Sequence, residues 1–341
     1  IFKVLKRGEK LKIDQVNQEN DLVDMGLRYD LTVPLARFYS NHENELPVPF
    51  KAIQIGQVWR ADRPQRGRYR QFVQCDIDVI GDGTNLAEIE LILATSTTLE
   101  KLGFNGFAIR INERRILKAM AAYSGFAENE FEEVFIILDK MDKIGLEGVE
   151  KELVELGYDT QAVEKYLDLF HELENTDNSL DYLEKHLQGF IEEDVINGLR
   201  EIKTAVDTAK TADFQLKFDP TLVRGMSYYT GTIFEVTLPN FGGSCGGGGR
   251  YDKMIGSFTG KDVPACGFSI GFERIILLLM EAEFQLPQQE KKIAFLMDKN
   301  LLTIDFLEVL AQAKILRAQG NYVLISRMNK NKKFQKEQLE K

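Results

Sequence analysis

FKAIQIGQVWRADRPQRGRYRQFVQCDIDVIG, residues 50–81, contains two β-like runs, FKAIQIGQVWR (50–60) and FVQCDIDVIG (72–81), on either side of a basic connector. Runs of this kind around a turn-rich centre predict a hairpin whose long loop is the basic segment. Arg60, Arg63, Arg66, Arg68 and Arg70 crowd that loop among Trp59, Tyr69 and Phe72, opposed locally only by Asp62. The whole chain carries a formal net charge of −10, so it should repel polyanions at large. The local arginine cluster therefore points to one concentrated anion.

Guanidinium groups pair phosphate oxygens in bidentate fashion, and aromatic rings offer stacking faces. On the loop alone, a nucleic-acid patch and a solvated charged hairpin both stay open. The second strand adds to the picture. Alternation puts Gln74, Asp76 and Asp78 on one face, and buried carboxylates need partners. A cationic loop beside an acid-lined face suits a polyphosphate together with an amine, and ATP with a zwitterionic amino acid is one such pair.

The surrounding sequence supplies the frame. TNLAEIELILATSTTLEKLGF (84–104) has Thr84 as a cap candidate and apolar residues at helical spacing, and FAIRIN (107–112) alternates as a strand. From about 114 to 213 the chain becomes acidic and helix-periodic, which predicts an all-helical insertion. Strand-like sequence resumes in FQLKFDPTLV (214–223) and GTIFEVTLP (231–239), and GFSIGFERIILLLMEAEF (267–284) runs from strand into apolar helix. KKIAFLMD, FLEVLAQAKILRAQG and YVLIS, within 291–326, give a βαβ pattern. Segment boundaries are thus expected at 113/114, 213/214 and 286/287.

Composition narrows the class. With 341 residues, 44% hydrophobic and 28% charged, the chain is an ordinary globular type with room for two or three domains. No apolar run approaches the roughly 20 residues of a membrane helix, and no leader-like segment opens the chain. Cys75, Cys245 and Cys266 have no disulfide or zinc spacing, so a reducing compartment, the cytoplasm, is expected. His42, His171 and His186 lie at no metal-ligand spacing, which argues against a protein-held metal and against a histidine general base.

Three further segments could carry chemistry. In LVRGMSYYTGTIFEV (222–236), Arg224 precedes Tyr228 and Tyr229, which could equally be strand aromatics. GGSCGGGGRYD (242–252) permits close approach of backbone to a ligand or tight packing. In CGFSIGFERIILLL (266–279), Glu273 and Arg274 open a helix, a pair that is usually just an exposed first turn. No Walker A loop and no G-x-G-x-x-G fingerprint occurs, and GSFTGKD (256–262) has the wrong gap. Phosphate binding would rest on arginine side chains.

In this order, the segments resemble the class II aminoacyl-tRNA synthetases. VWRADRPQRGRYRQF is similar to class II motif 2 and GFSIGFERIILLL to motif 3. LRYDLTVPLAR (27–37), LVRGMSYYTGTIFEV and CGGGGRYD resemble segments peculiar to the histidyl-tRNA synthetase family, and the resemblance covers nearly the whole chain. It implies an α+β fold, with a class II synthetase-type antiparallel sheet flanked by helices. The catalytic domain would occupy 1–113 and 214–286, the helical insertion 114–213, and a partial C-terminal α/β anticodon-binding domain 287–341.

The same resemblance implies the roles of individual residues. Asp30, Thr32 and Gln74 would hold the amino group of histidine, and Asp78, with Tyr229 and its neighbour Tyr228, would address the imidazole. Arg60 would contact the α-phosphate and the substrate carboxylate. Asp62, Arg68 and Tyr69 would help place ATP, while Phe72 and Arg274 would sandwich the adenine. Arg224 would be the catalytic cation. Mg²⁺ would bridge phosphates, and the partners would be histidine tRNA and a second copy of the chain.

Several departures accompany the resemblance. Motif 1, a major dimer element, should lie upstream of Ile1, and the last run, NKKFQKEQLEK, ends inside a helix-like pattern, so sequence is expected to be missing at both ends. Ser227 stands where an Asp is common, and an extra glycine precedes Gly249-Arg250. The rival reading is a non-charging, synthetase-like regulatory subunit of histidine biosynthesis. Against it stand Arg60, Arg224, the tyrosine pair, Arg274 and the βαβ pattern. Residues 291–341 hold eleven Lys/Arg against five Asp/Glu, which suits an RNA partner, although a solvated lysine-rich helix has the same composition.

Overall fold

A computed structural model describes residues 1–176, 178–224, 228–239, 241–284, 292–298 and 300–339. The chain divides into two compact units, Ile1–Leu277 and Leu278–Lys341. The expected boundary at 286/287 and the departure at Ser227 both lie outside the described residues.

The first unit opens with an antiparallel pair, β1 (Lys3–Leu5) and β2 (Val23–Gly26), followed by helix α1 (Thr32–His42). Pro34 sits in the first turn of α1, where no intrahelical N–H is needed from it. The basic stretch is a hairpin of β3 (Phe50–Trp59) and β4 (Gln71–Ile80), with Trp59 paired to Gln71 and Phe50 to Ile80. Helix α2 (Leu86–Lys101) and strand β5 (Phe107–Glu113) follow. Thr84 caps α2 from one residue before Asn85, its hydroxyl accepting the Leu86 N–H at 3.3 Å, and Asp82 holds Thr84 itself in a turn.

Six helices then intervene: α3 (Arg114–Ser124), α4 (Phe131–Leu138), α5 (Met141–Glu155), α6 (Thr160–Glu174), α7 (Ser179–His186) and α8 (Glu193–Ala209). Their apolar faces share a core that includes Phe135, Leu138, Leu153, Tyr166 and Phe170. The chain returns as β6 (Phe214–Phe218), which stops before Asp219-Pro220 because proline lacks the N–H a ladder needs. Strands β7 (Thr232–Thr237) and β8 (Ser244–Arg250), helix α9 (Asp252–Thr259), strand β9 (Ala265–Ile270) and helix α10 (Phe272–Glu281) complete the series.

These strands form one seven-stranded sheet in the order β3-β4-β9-β8-β7-β5-β6. Every neighbouring pair is antiparallel except β5–β6, which is parallel. The antiparallel sheet flanked by helices that the resemblance implies is therefore present, with one parallel pair at its edge. The cause is the six-helix excursion between β5 and β6, since a long crossover can bring the chain back in its original direction whereas a hairpin cannot.

The run SCGGGGR, whose glycines permit close backbone approach or tight packing, is a central strand, β8. At the opposite edge, β3 exposes Ile53 (75%) and Ile55 (68%).

The second unit pairs β10 (Lys292–Met297) in parallel with β11 (Tyr322–Arg327) across helix α11 (Thr303–Ala318), and ends in α12 (Lys332–Leu339). Met297, Ala313 and Val323 are buried within this βαβ unit.

Candidate active site

The cross-strand register draws one polar row over the middle of the large sheet. Asp76 of β4 pairs with Ser269 of β9, Ser269 with Gly247 of β8, Gly247 with Glu235 of β7, and Glu235 with Arg110 of β5. Directly paired residues share a face, so the row brings two acids and an arginine from β4, β7 and β5 together, with Ser269 and Gly247 between them. Above this row lies a cavity of about 440 Å³. All of Asp30, Thr32, Arg60, Asp62, Arg68, Tyr69, Phe72, Gln74, Asp78, Arg224, Tyr228, Tyr229 and Arg274 line it. Of the five loop arginines, only Arg60 and Arg68 belong to this wall. Arg66 lies over the Phe241 ring, 5.4 Å from its centroid, and Arg70 donates to the Asp62 carbonyl at 3.3 Å.

One end of the cavity is acidic. Asp30, Gln74, Asp76 and Asp78 are each less than 9% exposed. Asp30 accepts the Val33 N–H at the start of α1 (3.3 Å), and burial raises its carboxyl above the usual range. Gln74 donates to Asp76 (3.3 Å) and to the Ser269 hydroxyl (3.1 Å). Burial pushes Asp76 up to about 6 and Asp78 up to about 7, although Tyr251 opposes the shift at Asp78 by donating its hydroxyl at 2.7 Å. Tyr228 packs on Tyr229 at 4.7 Å between centroids and on Tyr251 at 6.2 Å, making an aromatic wall next to Asp78.

The other end is cationic. Arg60 is clamped between the Tyr29 ring (4.4 Å) and the Phe72 ring (5.1 Å), donating to the Tyr29 carbonyl (3.2 Å) and reaching Gln74 (3.5 Å). Gly67, at φ +68, turns the loop tip so that its carbonyl accepts from Arg274 at 3.0 Å. Arg274 also donates to the Ser244 carbonyl and lies 5.9 Å from the Phe241 centroid. Burial, with the nearby charges of Arg68 and Arg224, lowers the Arg274 pKa. Such a cluster is an electrostatic well for a polyanion.

Glycines on two neighbouring strands explain how these groups come so close. A Cβ on Gly267 of β9 would collide with Asp78 Oδ1, and one on Gly247 of β8 would lie 2.7 Å from Arg224 Nη1. The two glycines thus set bare backbone against the two side chains at the heart of the cavity.

Sequence reasoning missed several wall residues. Tyr251 stood in the RYD triplet after the glycines, and Glu235 followed the tyrosine pair by strand alternation, but neither carried a signal of its own. Glu273 accepts the Val73 backbone N–H at 2.8 Å and ties the start of α10 to β4, so it is not merely an exposed first-turn residue. Asp139 reaches the wall from the helical run, which no local pattern could announce.

Comparison with known proteins agrees with this geometry. A family model described as histidyl-tRNA synthetase matches residues 6–275. The histidine–tRNA ligase of Leifsonia xyli subsp. xyli is 44% identical, the alignment covering 97% of this chain and 77% of the relative. The crystal structure of histidyl-tRNA synthetase from Nostoc sp. PCC 7120 superposes with a TM-score of 0.75 at 28% identity, over 91% of this chain and 73% of that one. A Bacillus halodurans structure described as an ATP phosphoribosyltransferase regulatory subunit/histidyl-tRNA synthetase shares the fold, with a TM-score of 0.68 at 24% identity over 88% of this chain and 74% of that one. The fold alone is common to both descriptions, and it is the extended sequence match that decides between them: this chain belongs to the histidyl-tRNA synthetase family.

Proposed function

We propose that the cavity activates histidine with ATP, forming histidyl-adenylate and pyrophosphate, and that the chain then transfers the histidyl group to the 3′ end of histidine tRNA. The observation that carries this reading is the convergence, in one cavity, of a buried acid-lined end and an arginine-lined end. The acidic end suits a cationic amino acid: Asp30, Thr32 and Gln74 face the ammonium, with Asp76 beside them, while Asp78, Tyr228 and Tyr229 meet the imidazole. The cationic end suits a triphosphate: Arg60 spans the α-phosphate and the histidine carboxylate, Asp62, Arg68 and Tyr69 seat the nucleotide, and Phe72 and Arg274 flank the adenine.

In this scheme the histidine carboxylate attacks the α-phosphorus in line, a P–O bond to pyrophosphate breaks, and the ribose hydroxyl of the tRNA later displaces AMP from the adenylate. No side-chain proton transfer is needed for the first step. Positioning and charge stabilisation dominate, with Arg224 and Arg60 as the cations nearest the developing charge. Mg²⁺ enters on the triphosphate, as part of the substrate.

A homodimer in the cytoplasm belongs to the same reading. Supporting the dimer, edge strand β3 exposes Ile53 and Ile55, and Phe38 of α1 is exposed as well. Among the described residues, no helix is long and apolar enough to cross a membrane. Histidine-dependent ATP–pyrophosphate exchange, followed by charging of histidine tRNA, tests the function. Histidine binding without exchange would favour the regulatory subunit instead.

A further inference from the structure

We infer that Glu235 is a positioning residue that holds Arg224 against Gly247, and that the α4–α5 junction of the helical run acts on it through Arg110. The inference rests on the reading of Arg224 as the catalytic cation.

Arg224 lies in neither a helix nor a strand, so no regular element constrains its guanidinium. Two contacts supply the constraint. Glu235 Oε2 accepts from Arg224 Nη1 at 2.9 Å, and the same nitrogen lies 2.7 Å from where a Gly247 Cβ would stand. Gly247 is the β8 partner of Glu235. The guanidinium is thus pinned to bare backbone by a carboxylate from the next strand.

Glu235 is shared. Its second oxygen lies 3.6 Å from Arg110 Nη1, and Arg110 is its register partner on β5. Arg110 in turn donates to Asp219 at 2.6 Å and to Asp142 at 2.9 Å. Asp142 lies in the first turn of α5, and Asp139, at the end of α4, lines the cavity. Burial raises Asp139, while the charge of Arg224 opposes that shift and the charge of Glu235 adds to it, as expected of a carboxyl facing both. Asp142, Asp219 and Glu235 with the two arginines therefore form one connected network from the helical run to the reacting centre, and Asp139 stands beside it in the cavity wall. Within it, Glu235 is the only group bonded to both arginines among the described residues. A shift of α5 that moved Asp142 would be felt at Arg224 through three ion pairs in series.

Histidine-dependent pyrophosphate exchange on Glu235→Gln, Glu235→Asp, Asp142→Asn and Arg224→Ala tests this, with thermal unfolding run on each variant. Glu235→Gln keeps the side-chain volume and removes the charge. It should lower kcat by about 10–100-fold with both KM values within about threefold, the effect of a misplaced catalytic group rather than lost binding. Glu235→Asp should fall between Gln and wild type. Asp142→Asn, at an exposed position, should lower kcat by about 2–5-fold, and that effect should vanish in the Glu235→Gln background because the two act in one chain of contacts.

A wild-type kcat for Glu235→Gln overturns the positioning role. If that variant fails to fold, a wild-type kcat for Glu235→Asp does so instead. An Asp142→Asn effect that is absent, or fully additive with Glu235→Gln, overturns the link to the helical run. Should Arg224→Ala keep its exchange activity, the reading of the site fails; loss of activity there with an unaffected Glu235→Gln refutes only the present inference.

Discussion

Tyr251 donates its phenolic hydrogen to Asp78 Oδ1 over 2.7 Å, at a carboxyl that is 3% exposed. The other oxygen, Oδ2, is buried without a well-formed hydrogen bond among the described residues, although the Gln54 side chain stands near the carboxyl. A buried acceptor left unpaired is costly, which in the proposed reading gives a substrate N–H donor a place at that point. The imidazole of histidine is such a donor, and most other amino-acid side chains are not.

Asp78→Ala should therefore raise the histidine KM far more than the ATP KM, with discrimination against amino acids lacking the N–H falling from the order of 10⁴ toward 10². Steady-state exchange with histidine and with competing amino acids reads both quantities. Equal rises in the two KM values would reduce Asp78 to a structural role. Tyr251→Phe should act in the same direction but more weakly, since it removes one hydrogen bond and leaves the carboxylate.

Stability should depend on pH because of the same acids. Burial raises Asp76 from 3.8 to about 6 and Asp78 from 3.8 to about 7 in the folded protein. Between about pH 4 and pH 7 the folded chain thus holds more protons than the unfolded one, so stability falls as pH rises through that window. Thermal unfolding of the ligand-free protein should show a lower Tm at pH 7.5 than at pH 5.5. Asp78→Asn, neutral at both values, should flatten part of that slope. A Tm that rises over the interval with no change in Asp78→Asn would contradict the assignment.

The glycine strand gives a third expectation. Gly247→Ala places a methyl 2.7 Å from Arg224 Nη1 and 2.8 Å from the Phe234 carbonyl, so the arginine must move. A displacement of about 1 Å at a catalytic group costs on the order of 10²-fold in rate. Gly242→Ala, where a Cβ meets nothing within 4 Å, is the control and should leave exchange unchanged. Comparable activity in the two variants would show that the cavity tolerates a shifted Arg224.

Much of this was legible in the sequence because the signals were local. Alternation in β4 put Gln74, Asp76 and Asp78 on one buried face, and the flanking runs gave the hairpin with its basic loop. The strand-to-helix reading of 267–284 rested on the same kind of local pattern. What escaped was set by long-range packing. SCGGGGR has little β propensity, and its glycines leave the room that Arg224 and the backbone of β7 and β9 occupy. The parallel β5–β6 edge depends on where six helices return the chain. Tyr251, Glu235 and Asp139 acquire their meaning from partners far away in sequence, 173 residues in the case of Tyr251 and Asp78.

The adenine contacts give the last expectation. Arg274 is fixed by the Gly67 and Ser244 carbonyls, so its guanidinium can present a plane to a base with little reorganisation. Phe72 is different: its ring already lies 5.1 Å from the Arg60 guanidinium, and an entering adenine must share that ring or displace the contact. Stacking and cation–π contacts are worth about 0.5–2 kcal/mol each, or roughly 2–30-fold in affinity. Phe72→Ala should then weaken ATP toward the lower end of that range, because the gain from the base is offset by the lost Arg60 contact. Arg274→Ala should cost more, since it also removes charge from the phosphate end. Histidine affinity measured without ATP should stay nearly constant in Phe72→Ala, because Arg60 keeps its Tyr29 stacking and its bonds to Tyr29 and Gln74. Calorimetry with each substrate separates these effects. A structure with an adenylate analogue whose base lies away from both Phe72 and Arg274 would refute the sandwich, leaving the arginines their phosphate role without the contact that makes the cavity select adenine.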